Sequence, residues 1–233
     1  MPKTKILVVE DEKEISELLQ YNLEKEGYQV VQAYDGQTAL KKAEQENPHL
    51  IVLDLMLPEI DGLELCRYLK QAEKTRRIPI IMLTAKSEEA DVIVGLKLGA
   101  DDYVTKPFSP KILLERIKTV LRRIAEKSSA GKMRTLSGLT IDTVKYKVIY
   151  GGKEIVLTNI EFSILEFLSR HPGRVYSRDQ IMDGAWKEGK FIVDRAVDVH
   201  VLALRKKLGK AAHLIETVRG IGYRFHDVES SDA

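Results

Sequence analysis

Five short apolar segments, "KILVV", "QVVQA", "LIVLDL", "PIIML" and "DYVT", alternate with stretches of helical period over the first half of a 233-residue chain. Parallel strands require crossover connections, helices supply them, and those helices then cover both faces of the sheet. The alternation therefore predicts βα units around a parallel sheet. The first helix starts after "EDE" and stops at Gly27, a C-cap glycine. Later helices are predicted near 36–46, 61–72, 87–98 and 109–126.

Around "AEKSSAGKMR", residues 125–134, the apolar periodicity stops, which reads as a linker between a domain at 1–124 and a second at 135–226. In the second domain strands come first and helices follow. "LSGLTID", "YKVIY" and "KEIVL" are strand-like, with Gly-Gly turn chemistry at 151–152. "TNIEFSILEFLSRHPG" reads as a helix with a capping box, Thr158 as N-cap and Glu161 three residues on, ended by Pro172-Gly173. Two more helices, near 177–184 and 195–208, precede a terminal hairpin containing "RGIGYRF".

Charge separates the two halves. Residues 1–124 carry 19 Lys/Arg against 21 Asp/Glu, a balance of −2, whereas 125–226 carry 18 against 11, or +7. A polyanionic partner is expected for the second domain, and the segment 227–233, "DVESSDA", reads as an acidic solvated tail. The single Cys66 cannot form an internal disulfide, and the start "MPKTKILVVEDE" lacks the features of a signal peptide. The longest apolar stretches are too short to span a bilayer. The expectation is a cytoplasmic protein with no membrane partner.

In an open parallel sheet, ligands bind at the carboxyl ends of the strands. Glu10-Asp11 closes the first predicted strand, Asp54 the third, Thr84 the fourth and Lys106 the fifth. Three carboxylates in one pocket repel each other, and Mg²⁺ is the usual remedy, because it takes a few carboxylate oxygens and keeps waters. Lys106 and Thr84 would supply a positive charge and a hydroxyl donor for the oxygens of an incoming phosphoryl group. The constellation describes an aspartate that accepts phosphate. A phosphatase of the haloacid dehalogenase type would need a second acid two residues later, where Met56 stands. The chain also has no "GxxxxGK[ST]" loop and no Cys/His cluster for zinc.

"VVEDE", "LDLMLPEIDG", "LTA" and "TKPF" resemble the motifs of the response-regulator receiver domain. The resemblance implies a flavodoxin-like (βα)5 fold with parallel sheet order 2-1-3-4-5, and phosphorylation of Asp54 by a sensor histidine kinase. It implies Mg²⁺ held by Glu10, Asp11, Asp54 and the backbone carbonyl of Met56, and a cis peptide between Lys106 and Pro107. Thr84 and Tyr103 match the hydroxyl and aromatic pair that rearranges on phosphorylation; the alternative for Tyr103 is a simple half-buried sheet residue.

In the second domain "VDRAVDVHVLALRKKLG" reads as an amphipathic helix with Val197, Val201, Leu204 and Leu208 at core spacing. "IETVRGIGYRF" follows as a small β-ribbon with Arg219 near its tip, and a helix beside such a ribbon is a DNA-reading arrangement. With "LTNIEFSILEFL", "VYSRDQI" and Trp186, the second domain resembles the α+β winged helix-turn-helix output domain of the OmpR/PhoB subfamily, in its phosphate-regulon branch. By that resemblance Trp186, Arg195, His200 and Arg205 contact phosphates, Arg219 enters the minor groove, and Thr217 and Tyr223 assist; Trp186 could equally be a core anchor. Where many relatives carry arginine or polar residues in the recognition helix, this chain has Leu202 and Ala203. These can touch a thymine methyl but cannot make the bidentate contact that selects guanine, so an A/T-leaning site is expected.

"EEADVIVGLKLGADD" is apolar around nearly the whole circumference of the fourth predicted helix, as if covered on more than one side. In the subfamily, the fourth helix, fifth strand and fifth helix form a two-fold dimer face latched by ion pairs. Asp101, Asp102, Arg116 and Arg123 are candidates for that network, whereas a common basic residue is replaced by Val92 and its acidic partner by Ile112. One side of the helix should face the sheet, and the other, with Val92 and Leu96, a second subunit; the alternative buries Val92 within the monomer.

The expectation is a two-component response regulator and transcription factor, not a turnover enzyme. It would work as a homodimer on double-stranded promoter DNA, with RNA polymerase as a further partner. A phosphorylation-independent, constitutively dimeric regulator on the same fold is the alternative. A metal-dependent phosphohydrolase would require sustained turnover.

Overall fold

The computed structural model describes residues 3–85, 94–95, 98–129, 133–186 and 196–226; for residues 85, 123–129 and 186 the backbone alone is described. The chain divides into two compact units, Met1–Leu121 and Arg122–Ala233.

The first unit runs β1 (Lys5–Val9), α1 (Lys13–Lys25), β2 (Gln29–Ala33), α2 (Gly36–Glu46), β3 (Leu50–Asp54), α3 (Gly62–Gln71), β4 (Ile80–Ala85) and β5 (Asp102–Lys106), and then enters α4 (Pro110–Ser129). Its five strands are all parallel, in the order β2-β1-β3-β4-β5. β3 is buried along its whole length, as expected of a central strand covered on both faces. Burying each of its aliphatic side chains contributes about 1.5–3 kcal/mol, so this strand anchors the sheet against the helices.

Local chemistry sets the helix ends. Gly27 takes φ +88 and its N–H donates to Glu24 O at 2.9 Å, ending α1 as the sequence predicts. Asp35 caps α2 by accepting from Thr38 N, and Asp61 caps α3 by accepting from Leu63 N. Most of the predicted fourth helix, Val92 and Leu96 included, lies outside the described residues; residues 94, 95 and 98 are helical. Gly95 is buried so close to Met82 Sδ that a Cβ would collide with it, while Val94 is exposed. One side of this segment therefore does face the sheet.

The second unit opens with a four-stranded antiparallel sheet, β6 (Met133–Leu136), β7 (Leu139–Asp142), β8 (Lys147–Tyr150) and β9 (Lys153–Ile155). "LSGLTID", read as one strand, is instead two paired strands: Ser137 and Gly138 take φ +47 and +76 and turn the chain back. The Gly151-Gly152 turn has φ +56 and +75, the conformation that two-residue hairpins need. α5 (Asn159–Ser169) carries the predicted capping box of Thr158 and Glu161. β10 (Tyr176–Ser177) and α6 (Arg178–Ile181) follow, the latter continued by a π-helical turn at Met182–Trp186.

Next comes α7 (Ala196–Leu208), with Val197, Val201, Leu204 and Leu208 all buried at the predicted spacing. A 3₁₀ turn leads to the hairpin of β11 (Ile215–Val218) and β12 (Gly222–Phe225), which pairs with β10 in the order β10-β12-β11. Gly222 is needed there, because a Cβ would collide with Tyr176 O.

Candidate functional site

The acids sit where the strand ends place them. Glu10 follows β1 and Asp54 ends β3, and both are buried. Asp11 is the most open of the three, and one carboxylate oxygen from each lies within 4.8 Å of the others. Lys106, at the end of β5, reaches over them: its Nζ donates to Asp54 Oδ2 at 2.6 Å and to Glu10 Oε1 at 3.0 Å. Glu10 Oε2 is 2.9 Å from the same ammonium but outside hydrogen-bond geometry, and it has no other hydrogen-bond partner.

Burial pushes the Glu10 carboxyl up to about 7, against the pull of the Lys106 hydrogen bond and with a further push from the Asp54 carboxylate. The Lys106 ammonium, though burial works against it, is held above its usual range by its bonds to Asp54 and Glu10. Three acids, one of them with a buried carboxylate oxygen not engaged in a hydrogen bond, are a donor set that suits a hard divalent cation.

Around this cluster, Met56 N donates to Asp54 Oδ1 at 3.2 Å, fixing the carboxylate, and the Met56 side chain is exposed. Thr84 is buried on β4, paired in register with Thr105, and Tyr103 packs half-buried against the core. The Lys106-Pro107 peptide is cis. Gly62 was not singled out from sequence, yet a Cβ there would lie 2.6 Å from Leu55 Cα and collide with Asp54 O. The absence of a side chain at the first residue of α3 lets that helix seat against the strand end bearing Asp54.

In the second unit, Leu202 on α7 is 66% exposed and Ala203 half-buried, and Arg219 is exposed in the turn of the β11–β12 hairpin. Arg195 and the side chain of Trp186 lie outside the described residues. His200, expected at a phosphate, is instead buried, because it shares the inward face of α7 with Val197, Val201 and Leu204. Tyr223 is also buried, its hydroxyl donating to Asp198 Oδ1 at 2.7 Å. Arg205 is turned inward onto Ile215 O and Thr217 Oγ1. Thr217 is exposed, but its hydroxyl accepts this bond.

Residues 6–118 match the model of the response regulator receiver domain, and 152–225 that of the transcriptional regulatory protein C-terminal domain. The alkaline phosphatase synthesis transcriptional regulatory protein PhoP of Bacillus subtilis (strain 168) is 46% identical, over 98% of this chain and 99% of its own. The phosphate regulon transcriptional regulatory protein PhoB of Escherichia coli (strain K12) is 44% identical, over 95% and 97%. The chain is a response regulator of the OmpR/PhoB subfamily. Response regulator DrrB, a Thermotoga maritima OmpR/PhoB homolog of solved structure, matches with 34% identity and a TM-score of 0.51, over 97% of this chain and 100% of that one. The regulator is thus a two-component transcription factor of the PhoB/PhoP type, in a class that regulates rather than turning over substrate. Among its described residues no helix is long and apolar enough to cross a membrane.

On the side of β5 the candidate acids have partners within the chain. Asp101, expected in an intersubunit ion-pair network, is completely buried and paired with Lys70 Nζ at 2.9 Å within the chain. Asp102 accepts from Arg116 Nη1 at 2.8 and 2.9 Å, again within the chain. The side chain of Arg123 lies outside the described residues, whereas Ile112 is 54% exposed near the start of α4. Lys70 went unnoticed in sequence, although it stands four residues after buried Cys66 on the inward stripe of α3, where a lysine requires a buried partner.

Proposed function

We propose that Asp54 is the phospho-acceptor and that a sensor histidine kinase is the phosphoryl donor. The observation that carries this reading is the single ammonium of Lys106 bridging Asp54 and Glu10 at the carboxyl ends of the strands. An Asp54 carboxylate oxygen attacks phosphorus, the P–N bond to the kinase histidine breaks, and a P–O bond to Asp54 forms. Lys106 and Thr84 hydrogen-bond the transferred oxygens, and Tyr103 follows Thr84 in the rearrangement. Glu10, Asp11, Asp54 and the carbonyl of Met56 hold Mg²⁺, which when bound offsets the negative charge gathered by the carboxylates and phosphoryl oxygens.

Phosphorylation shifts a conformational equilibrium toward a homodimer formed through the fourth-helix segment, β5 and α4, with Ile112 in the contact. The paired output domains bind promoter DNA, α7 in the major groove and Arg219 in the minor groove, and present it to RNA polymerase. Exposed Leu202 favours thymine methyl contacts, and hence an A/T-leaning site.

Incubation with acetyl phosphate and Mg²⁺, followed by mass spectrometry, should find one phosphoryl group on Asp54, absent from Asp54→Asn. Modification elsewhere, or none, refutes the assignment. A second reading, a dimer formed without phosphate, is favoured by the exposed Ile112 where the subfamily carries an acid. Sedimentation with Mg²⁺, before and after adding beryllofluoride, separates the two: a resting dimer supports the second reading, and dimerisation only with the mimic supports the first.

A further inference from the structure

Four elements of the second unit are tied together by one chain of polar contacts. Arg205 on α7 donates from Nε and Nη2 to Ile215 O at 3.0 and 2.6 Å, and from Nη2 to Thr217 Oγ1 at 2.8 Å. Its guanidinium lies 5.5 Å from the centroid of the Tyr223 ring on β12. The Tyr223 hydroxyl donates to Asp198 Oδ1 on α7, and the same oxygen accepts from Arg178 Nε of α6 at 2.7 Å. The Arg178 guanidinium is itself 5.4 Å from the Tyr223 ring.

Two of the three guanidinium nitrogens of Arg205 are committed within the fold, so its position is set by the hairpin and only Nη1 is left for another acceptor. Its fork is directed at a backbone carbonyl of β11, and withdrawing it would strand that acceptor at the buried residue Ile215. A planar guanidinium loses little freedom in such a fixed fork, whereas a lysine ammonium, a point charge on a flexible stem, cannot reproduce it. Tyr223 supplies the second hold, with its ring beside Arg205 and its hydroxyl on Asp198, so the hairpin is fastened to α7 at both ends of the tyrosine side chain.

We propose that Arg205 is a positioning residue for DNA recognition, which with Tyr223 and Asp198 sets the angle of the β11–β12 hairpin against α7. The inference rests on the DNA-reading arrangement proposed above. Reading sequence through α7 and through Arg219 at the hairpin tip requires both to be in register with the duplex at once. Binding through phosphates alone tolerates a looser hairpin, because phosphate contacts carry no sequence information. Loosening the hairpin should therefore cost specific binding and spare non-specific binding.

The test uses the full-length protein with Mg²⁺ and beryllofluoride, a duplex selected from a random pool by the unaltered protein, and a scrambled duplex. Affinity for each is followed by fluorescence anisotropy across a salt series. Arg205→Lys, which keeps the charge, should lower the ratio of selected to scrambled affinity about tenfold, the scale of one mismatched base pair, and Arg205→Gln by a similar factor. Tyr223→Phe should lower it in the same direction. The salt slope on the scrambled duplex should stay unchanged in all three.

A ratio retained in Arg205→Lys, with the slope in Arg205→Gln flattened by about 0.9, the value of one phosphate contact, overturns the proposal. Where circular dichroism shows the Arg205 variants unfolded, Tyr223→Phe decides, and an unchanged ratio overturns it. If the unaltered protein selects no duplex, the DNA-reading arrangement falls and this inference with it; the outcomes in the variants overturn this inference alone.

Discussion

Lys106 Nζ stands 2.6 Å from Asp54 Oδ2, across 52 residues of sequence, and the same ammonium donates to Glu10. Lys106→Met leaves two buried carboxyls side by side without their counter-charge. Breaking a fully buried pair costs about 3–5 kcal/mol. The lysine side chain is 19% exposed, so the smaller desolvation cost of about 1–3 kcal/mol is the appropriate scale. Urea denaturation of the full chain in EDTA should show the first unit destabilised by that amount, and Mg²⁺ should shrink the difference from the unaltered protein. An equal loss in both conditions would mean that Lys106 acts by other means.

Glu10 should make cation binding at the acidic cluster pH-dependent. Its carboxyl is raised from an ordinary 4.5 to about 7, by burial first, so folding favours the protonated form. The stabilisation from this group is fully present below pH 4.5 and is lost as pH rises through about 7 in the metal-free protein. A cation needs the carboxylate, so Mg²⁺ affinity should weaken as pH falls below about 7, and binding should release protons there. Titration calorimetry at about pH 6.5, in two buffers of different ionisation enthalpy, measures that release. Identical heats in the two buffers would count against it.

Lys70 and Asp101 form an ion pair with side-chain exposures of 3% and 0%. Lys70 Nζ also donates to Ile78 O, and Asp101 Oδ2 accepts from Ile80 N, so the pair pins α3 to the segment entering β5. Lys70→Met should cost about 3–5 kcal/mol, because it leaves a buried carboxylate uncompensated. Adding Asp101→Asn should recover part of that loss. Urea melts in a double-mutant cycle give the coupling, and a value under about 0.5 kcal/mol would show the pair to be unimportant.

Ile112 is an exposed apolar residue of the proposed dimer face. Burying an aliphatic side chain contributes about 1.5–3 kcal/mol, against roughly 0–1 kcal/mol for an exposed ion pair. Ile112→Glu should therefore weaken self-association on the order of tenfold or more. Adding Val92→Lys should restore part of it in a salt-sensitive form. Sedimentation velocity with beryllofluoride across a salt series reads both effects, and an unchanged association constant removes Ile112 from the interface.

Much of the fold was legible in one dimension. The run "LIVLD" is apolar without alternation because both faces of β3 are covered, and Gly27 ends α1 because it can take a positive φ. The capping box of Thr158 and Glu161 works over three residues and needs no tertiary context. The candidate pocket was legible for a related reason, since a residue at the end of a parallel strand is delivered to one edge of the sheet whatever surrounds it. "LSGLTID" misled because its apolar residues fit a single strand, and the decision lay with Ser137 adopting φ +47, which ends β6 at Leu136.

The sequence by itself therefore determined most of the described elements, the order of acids and lysine along the sheet edge, and the inward stripe of α7. Those features depend on backbone period and chain connectivity. The partners of charged side chains were decided only by the tertiary structure. Asp101 found Lys70 across 31 residues, and Arg205 found the carbonyl of Ile215 on the hairpin. Helical period can mark the face that buries a charged residue, as at Lys70, but not its partner, which is set by packing between distant segments and by the cost of leaving a buried polar group unpaired.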